Sequence, residues 1–535
     1  MELFKSETPG IREYLRNNYT PLNTEKQAIR DSIEMARTRL DALQTQDLLL
    51  DSEAQSLSSY IAEYSSLLAP IRRLPVDLLR TIFLDPDIHK KKQQISYKSI
   101  LTQYKPNRLG AVCHHWRCVT LETATMWAAF EVFLNQPSRY SIDALRIALQ
   151  RSQNALLSVS FQPVISLLTI ECSASDIEML HEVLQHTERW AMVELPLNEG
   201  VLPHLSSAQG RLDHLHTLTV HNASKFDSVE TLVFARAPRL RTLRIKGFPH
   251  RMLPAMPWSQ LTRLCIDSGN DNPSLYHHLF SQAQNIRHLS IRLERLNSET
   301  LPQLPILSPH LEKMIHHGPV PRAGMDVLAR VIAPALRQLQ MINIYHWDTP
   351  IMQAFIKRSG FSLHTLVLHH IPVRVNDVLS ILRMLPTLEN LFLEDLIPNA
   401  ITNATMEALT VSTDILLPAL STFVLSGAYL FGESQLLAML ESRITAVNQI
   451  APLTVVDFSL PHLILSAASL QRLNTIRVSV TSFRFSCIDQ GQRAIVMEFG
   501  DRMGWIHELQ LEVLQVKKID SDIFPLTLTK RIMPH

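Results

Sequence analysis

One short apolar pattern returns along most of this chain, and it constrains the fold more than anything else in the sequence. An anchor is followed by apolar residues three and five places on: Leu156 by Val159 and Phe161, Trp190 by Val193 and Leu195, Leu215 by Leu218 and Val220. Leu240, Leu261, Ile286, Leu336, Leu363, Leu388, Leu420, Leu453, Leu473 and Ile506 do the same, while Leu311 has Met314 in place but His316 at the last position. In a chain that is 46% apolar one triplet means little, but fourteen anchors with a recurring step of 25 residues define a repeat. Pro238, Pro309, Pro334, Pro386 and Pro418 each stand two residues before an anchor and reinforce the register. Positions three and five share one face of a strand. Each triplet therefore predicts a strand, with the chain returning behind it as a helix or turn. Burying three such side chains falls well short of the entropy lost on ordering a whole unit, so neighbouring units must share a core.

This is the leucine-rich-repeat signature. It predicts an α/β fold with a parallel sheet over residues 141–515, entered through a helix at Ser141–Arg151 and closed by a C-terminal cap or tail at 516–535. The asparagine usual at the eighth place is missing, with Ala223, Phe248, Gly269, Ile371 and Leu396 there instead, so an irregular solenoid is expected.

Ahead of the repeats, residues 1–21 show no period and read as a flexible tail. Thr24 reads as a helix cap with Gln27 as its partner. Apolar residues then step by four and three through Ile29, Ile33, Ala36, Leu40, Leu43, Leu50, Ala54, Leu57, Ile61, Tyr64 and Leu68, broken by Asp47 and ended by Pro70. Residues 22–69 thus predict a long heptad helix, either a coiled coil through which the chain self-associates or a helix folded back on its neighbours.

Between heptads and repeats lies Ile71–Trp127. Pro75 suits the first turn of a helix, and Leu78, Leu79, Ile82 and Phe83 follow at helical spacing. Val112, Cys113 and Trp116 mark a second short helix, and Trp127 a third anchor. So much apolar surface on so small a unit implies a partner. The leucine-proline start, Asp77 two places on, the isoleucine-phenylalanine pair, the valine-cysteine-x-x-tryptophan-arginine helix and the final tryptophan resemble an F-box. It spans residues 70–130 with a polar insert at 88–108, and the whole chain resembles the expanded F-box families of mushroom-forming fungi. The resemblance implies that Leu74, Pro75, Leu78, Leu79, Ile82, Phe83, Val112, Cys113, Trp116 and Trp127 bind a Skp-type adaptor and through it a cullin. The repeats would then present a protein substrate to an SCF-type ubiquitin ligase. The alternative is a non-catalytic oligomeric scaffold outside any ligase.

Net charge is +1, which offers no general attraction to nucleic acid or to an anionic membrane. Five scattered cysteines read as reduced thiols, no apolar run reaches the length of a membrane span, and the expected location is cytoplasm or nucleus. His181 and His186 flank a stretch resembling a zinc-protease helix, but they are five apart and diverge by about 140°. Cys113 and Cys118 diverge equally, and the pairs His277-His278, His316-His317 and His369-His370 read as surface residues beside strands. No catalytic constellation, metal site or cofactor is expected. Outward-facing strand positions then carry the binding reading. Arg244, Lys246, Arg263, Arg292 and Lys313 form a basic stretch beside an apolar one of Val367, Phe392 and Val424, interrupted by Asp267 and Glu394. Such a face either binds an acidic target segment with a hydrophobic anchor or is simply solvated.

Overall fold

The computed structural model describes residues 9–16, 18–45, 51–85, 104–133, 142–162, 173–197, 201–222, 232–246, 255–268, 281–293, 306–318, 325, 327–397, 400–427, 429–444, 450–489 and 494–499. They form a mixed α/β fold with mostly parallel strands and many helices, divided into two compact units. One unit spans residues 1–196 with 200–215, and the other residues 197–199 with 216–535.

The first unit opens with α1 (Pro9–Arg16), α2 (Asn23–Thr45) and α3 (Asp51–Leu67). The supposed tail thus contains a helix, and the heptad segment is two helices rather than one. Arg39 and Glu53 lie fourteen residues apart, about 21 Å along a continuous helix, yet their side chains pair at 3.3 Å. The hairpin spends the heptad seam on itself: Ala36, Leu43, Leu57 and Tyr60 bury one another, with Leu40, Ile61 and Tyr64 alongside. Asp47 and Leu50 lie outside the described residues. The predicted Thr24 cap is not used. Instead the Glu25 carboxylate accepts the Leu22 N–H at 2.7 Å and the Tyr19 hydroxyl at 2.5 Å.

A 3-10 turn at Pro70–Arg73 leads to α4 (Val76–Leu84), then α5 (Tyr104–Gly110), α6 (His114–Glu122) and a second 3-10 turn at Ala124–Trp127. The end of the expected polar insert is therefore helical, and most of it lies outside the described residues. Three parallel strands follow, β1 (Ala129–Phe133), β2 (Leu157–Gln162) and β3 (Trp190–Leu197), backed by α7 (Ile142–Arg151) and α8 (Ala174–Leu184). Trp127, Phe130 and Val132 are all buried and stand in the same three-and-five relation, so Trp127 is itself an anchor. Leu156 is exposed, and Leu157 takes its place in the core.

In the second unit β4 (Thr217–Asn222), β5 (Thr242–Lys246), β6 (Arg263–Ser268) and β7 (His288–Leu293) run parallel in sequence order. The short strands β8 (Ile306–Leu307) and β10 (Val331–Ile332) pair only with each other. The main series continues with β9 (Lys313–His317), β11 (Gln338–Ile342), β12 (Thr365–His369), β13 (Asn390–Leu396), β14 (Thr422–Gly427), β15 (Val455–Leu465) and β16 (Ser482–Asp489). An antiparallel strand, β17 (Ala494–Phe499), pairs with β16.

Triplets pair like with like: Leu243 faces Leu264 and Ile245 faces Ile266, as Leu339 faces Leu366 and Met341 faces Leu368. His316 fills an apolar slot between Ile291 and Met341 and is fully buried. Leu473 does not lead a strand. It lies in a helix, Val478 beyond it is exposed, and Val480 with Phe483 and Phe485 forms the buried triplet of β16. Ile506 lies outside the described residues.

Two devices close successive turns. Asn343, His370, Asp395 and Gly427, each seven places after an anchor, take left-handed backbone with φ of 53°, 52°, 50° and 100°. Asn, Asp and Gly tolerate that region best, and a Cβ on Gly427 would lie 2.8 Å from the Asp395 Cα. The second device is a backward-reaching arginine. Arg189 donates to the Ala155 carbonyl at 3.0 Å and to Ser152 Oγ at 2.6 Å. Arg358, in the last turn of α9 (Thr349–Ser359), donates to the Leu328 and Val331 carbonyls at 2.6 and 2.9 Å. Helix α10 (Val375–Leu382) and α11 (Asn403–Leu409) back the next strands. At the end of α12 (Glu433–Ile444), Arg443 is fully buried and donates to the Leu409 and Leu417 carbonyls, both at 2.7 Å, and to that of Leu416. Burial holds its guanidinium down at about 10.

Replacing Arg443 with Met leaves these carbonyls buried without donors, and should lower unfolding free energy by about 3 kcal/mol or more in a denaturant titration. Gly427→Ala should also lower it, through left-handed strain and the Asp395 backbone contact.

Candidate protein-binding surfaces

Helices α4 and α6 form one small core. Leu79, Phe83, Val119, Met126, Trp127 and Ala148 are buried together, with Leu74, Val76, Leu109 and Trp116 packed at the edge. Phe83 meets Trp116 edge-on with centroids 4.7 Å apart, and Trp127 Nε1 donates to the Thr120 carbonyl at 2.8 Å. The Arg151 guanidinium lies 4.5 Å over the Trp127 ring. Cys113 caps α6, its sulfur accepting the Trp116 N–H at 3.5 Å. Leu79, Phe83 and Trp127 are thus interior, not the partner-facing residues the sequence suggested.

The remaining residues divide from these by helical phase. Leu78 and Ile82, four apart and about 40° round the helix, are 52% and 36% exposed, against 1% and 3% for Leu79 and Phe83. Pro75 is exposed with them, and Val112, before α6, is 61% exposed. Leu74, Cys113 and Trp116 are half-buried. Ile71, Leu84 and Leu121 are further exposed apolar residues that sequence reasoning passed over. Arg72 ties this unit to the hairpin region, donating to the Ser66 carbonyl at 2.7 Å and accepting from Asn18 Nδ2 at 3.0 Å through its own carbonyl.

In the second unit the five expected cations do meet. Arg244, Lys246, Arg263, Arg292 and Lys313 line one concavity of about 250 Å³ over β5, β6, β7 and β9, with Cys265, Asp267, His288 and His317. Arg263 donates to His288 Nδ1 at 3.0 Å, so that ring nitrogen carries the lone pair. Arg292 is buried and lies 3.6 Å from Asp267, so its charge is partly answered within the wall. The apolar half of the expected face is a correction. Val367, Phe392 and Val424 are buried with Ile342 and Val455 in one cluster, because equal register stacks these side chains along adjacent strands. His316, His317 and His369 are buried as well, not on the surface, whereas His370 is exposed. His277 and His278 lie outside the described residues. His369 Nδ1 lies 3.5 Å from the Glu394 carboxylate.

The strand face of the first unit has opposite character. Glu131, Ser160 and Glu194 occupy matching positions on β1, β2 and β3, and Ser160 donates to Glu194 at 2.7 Å. Burial first, and the Glu194 charge second, push the Glu131 carboxyl up to about 7. Between the unfolded value near 4.5 and that folded value the native state holds the extra proton, so stability must fall as pH rises through this window. Allowing for partial solvent exposure, unfolding free energy should drop by on the order of 1–2 kcal/mol between pH 4.5 and 7.5. Glu131→Gln should flatten that part of the profile, as read from thermal unfolding across pH.

Among the described residues no helix is long and apolar enough to cross a membrane. Searched against protein-family models and curated proteins, the sequence finds no match in either.

Proposed function

We propose that this chain is the substrate-recognition subunit of an SCF-type ubiquitin ligase and has no catalytic role of its own. One observation carries the reading: Leu78, Ile82 and Val112 are exposed on a small helical unit whose interior is already filled by Leu79, Phe83, Val119, Met126 and Trp127. A monomer gains nothing from presenting them, whereas an adaptor groove would bury them at about 1.5–3 kcal/mol each. The F-box resemblance identifies the adaptor as Skp-type, with a cullin beyond it. The strands that follow are read as irregular leucine-rich repeats presenting the target. Their basic concavity suits an acidic segment of the target, attracted by a field that salt weakens. Ubiquitin transfer then follows from proximity: holding acceptor lysines near the ligase raises their effective concentration. The scaffold alternative is the weaker reading, since the hairpin already occupies the seam that would dimerise it.

Co-purification of the full chain with a Skp-type adaptor tests the proposal. Leu78→Asp with Ile82→Asp should reduce adaptor capture at least about tenfold while leaving the unfolding temperature unchanged. Undiminished capture refutes the surface. Phe83→Ala should instead destabilise the fold by about 3–5 kcal/mol. Arg244→Glu with Lys313→Glu should weaken target capture, without affecting the adaptor.

A further inference from the structure

His181, set aside at sequence level because His186 diverges from it, has a different partner. Its Nε2 lies 3.1 Å from Nδ1 of His204, with the rings edge-on at 79° and centroids 4.8 Å apart. Both rings are held by well-fixed elements of the first unit. Helix α8 starts at a Ser173–Asp176 capping box and buries Met179, Leu180, Val183 and Leu184, which turns His181 outward. His204 sits in a 3-10 segment, Leu202–Ala208, whose Leu202, Leu205 and Ala208 are buried, leaving its ring half-exposed. The pair is open to solvent, and the segments that carry it are packed through their buried faces.

We infer that His181 and His204 form a two-imidazole site for a divalent transition metal ion of the zinc type. Metal–nitrogen bonds of about 2.0–2.1 Å span nitrogens about 2.9 Å apart at a right angle and about 3.3 Å apart at the tetrahedral angle. The observed 3.1 Å falls inside that interval. A hydrogen bond between the rings requires one nitrogen to carry the proton and the other to be bare. Binding needs both bare. A neutral ring supplies this by moving its proton to its other nitrogen, with no net proton lost at neutral pH, while acid competes with the metal. Nearby charge does not oppose a cation, because Arg146 is drawn to Glu182 at 2.7 Å and Glu178 at 3.6 Å. Water completes the coordination. Among the described residues no set of three or more His, Cys, Asp or Glu side chains could hold a metal, so this is a two-ligand clip and not a closed structural centre. When bound, the ion ties α8 to the following segment, and linkage raises the stability of the first unit.

The test uses the full chain stripped of metal with a chelator and desalted. Zn2+ alone should bind in calorimetry with a component of one ion per chain and raise the unfolding temperature. His181→Ala and His204→Ala should each remove that component and the thermal shift, while His186→Ala keeps both. Cu2+ as a probe should show two nitrogen ligands by electron paramagnetic resonance in the parent chain and one in either variant, with His204→Gln as the substitute should an alanine variant misfold. Unchanged zinc binding in both variants, or a nitrogen count that does not fall, overturns the site.

Discussion

Everything in this molecule rests on the parallel hydrogen-bond ladder, because a parallel strand satisfies its backbone only by borrowing from strands on both sides. That dependence explains the in-register pairing of Leu243 with Leu264 and of Leu339 with Leu366. It also explains why the connections are built so carefully. Each strand must leave the sheet and return without stranding polar groups. The left-handed residues at Asn343, His370, Asp395 and Gly427 make the exit, and the arginines at 189, 358 and 443 satisfy carbonyls where the return ends.

A short helix in the first unit shows how fold and partner can share one element. On α4, Leu79 and Phe83 lie roughly 100° round from Leu78 and Ile82. One stripe is committed to the interior and the other is left for something else. The strand face in the second unit divides along its length instead: cations gather over β5 to β9, and apolar side chains close on one another from β11 to β15.

Most of the parallel strands were legible because a buried strand face places apolar residues at three-and-five spacing. The same rule misled at Leu473, since Ile476 three places on is also the next residue down a helix face, and only the exposed Val478 separates the cases. Trp127 went unrecognised as an anchor because its burial served two roles, closing the helical unit and opening the sheet. The heptad pattern correctly marked helices but not their number, since a hairpin and a continuous helix share one period and differ only at the break. Arg443, His204 and the burial of Val367, Phe392 and Val424 had no sequence signal. Each depends on what lies on a neighbouring element in space, 23 to 34 residues away for the side-chain bonds.

The arginines also give the array a direction. Arg189, Arg358 and Arg443 all reach toward lower residue numbers, never forward. Excising the segment that holds their acceptors would therefore orphan these guanidiniums, while the strand before the cut would lose ladder bonds but no such arm. Loss of a strand with its connection should be asymmetric in consequence, gentler when the segment that follows carries no such arm.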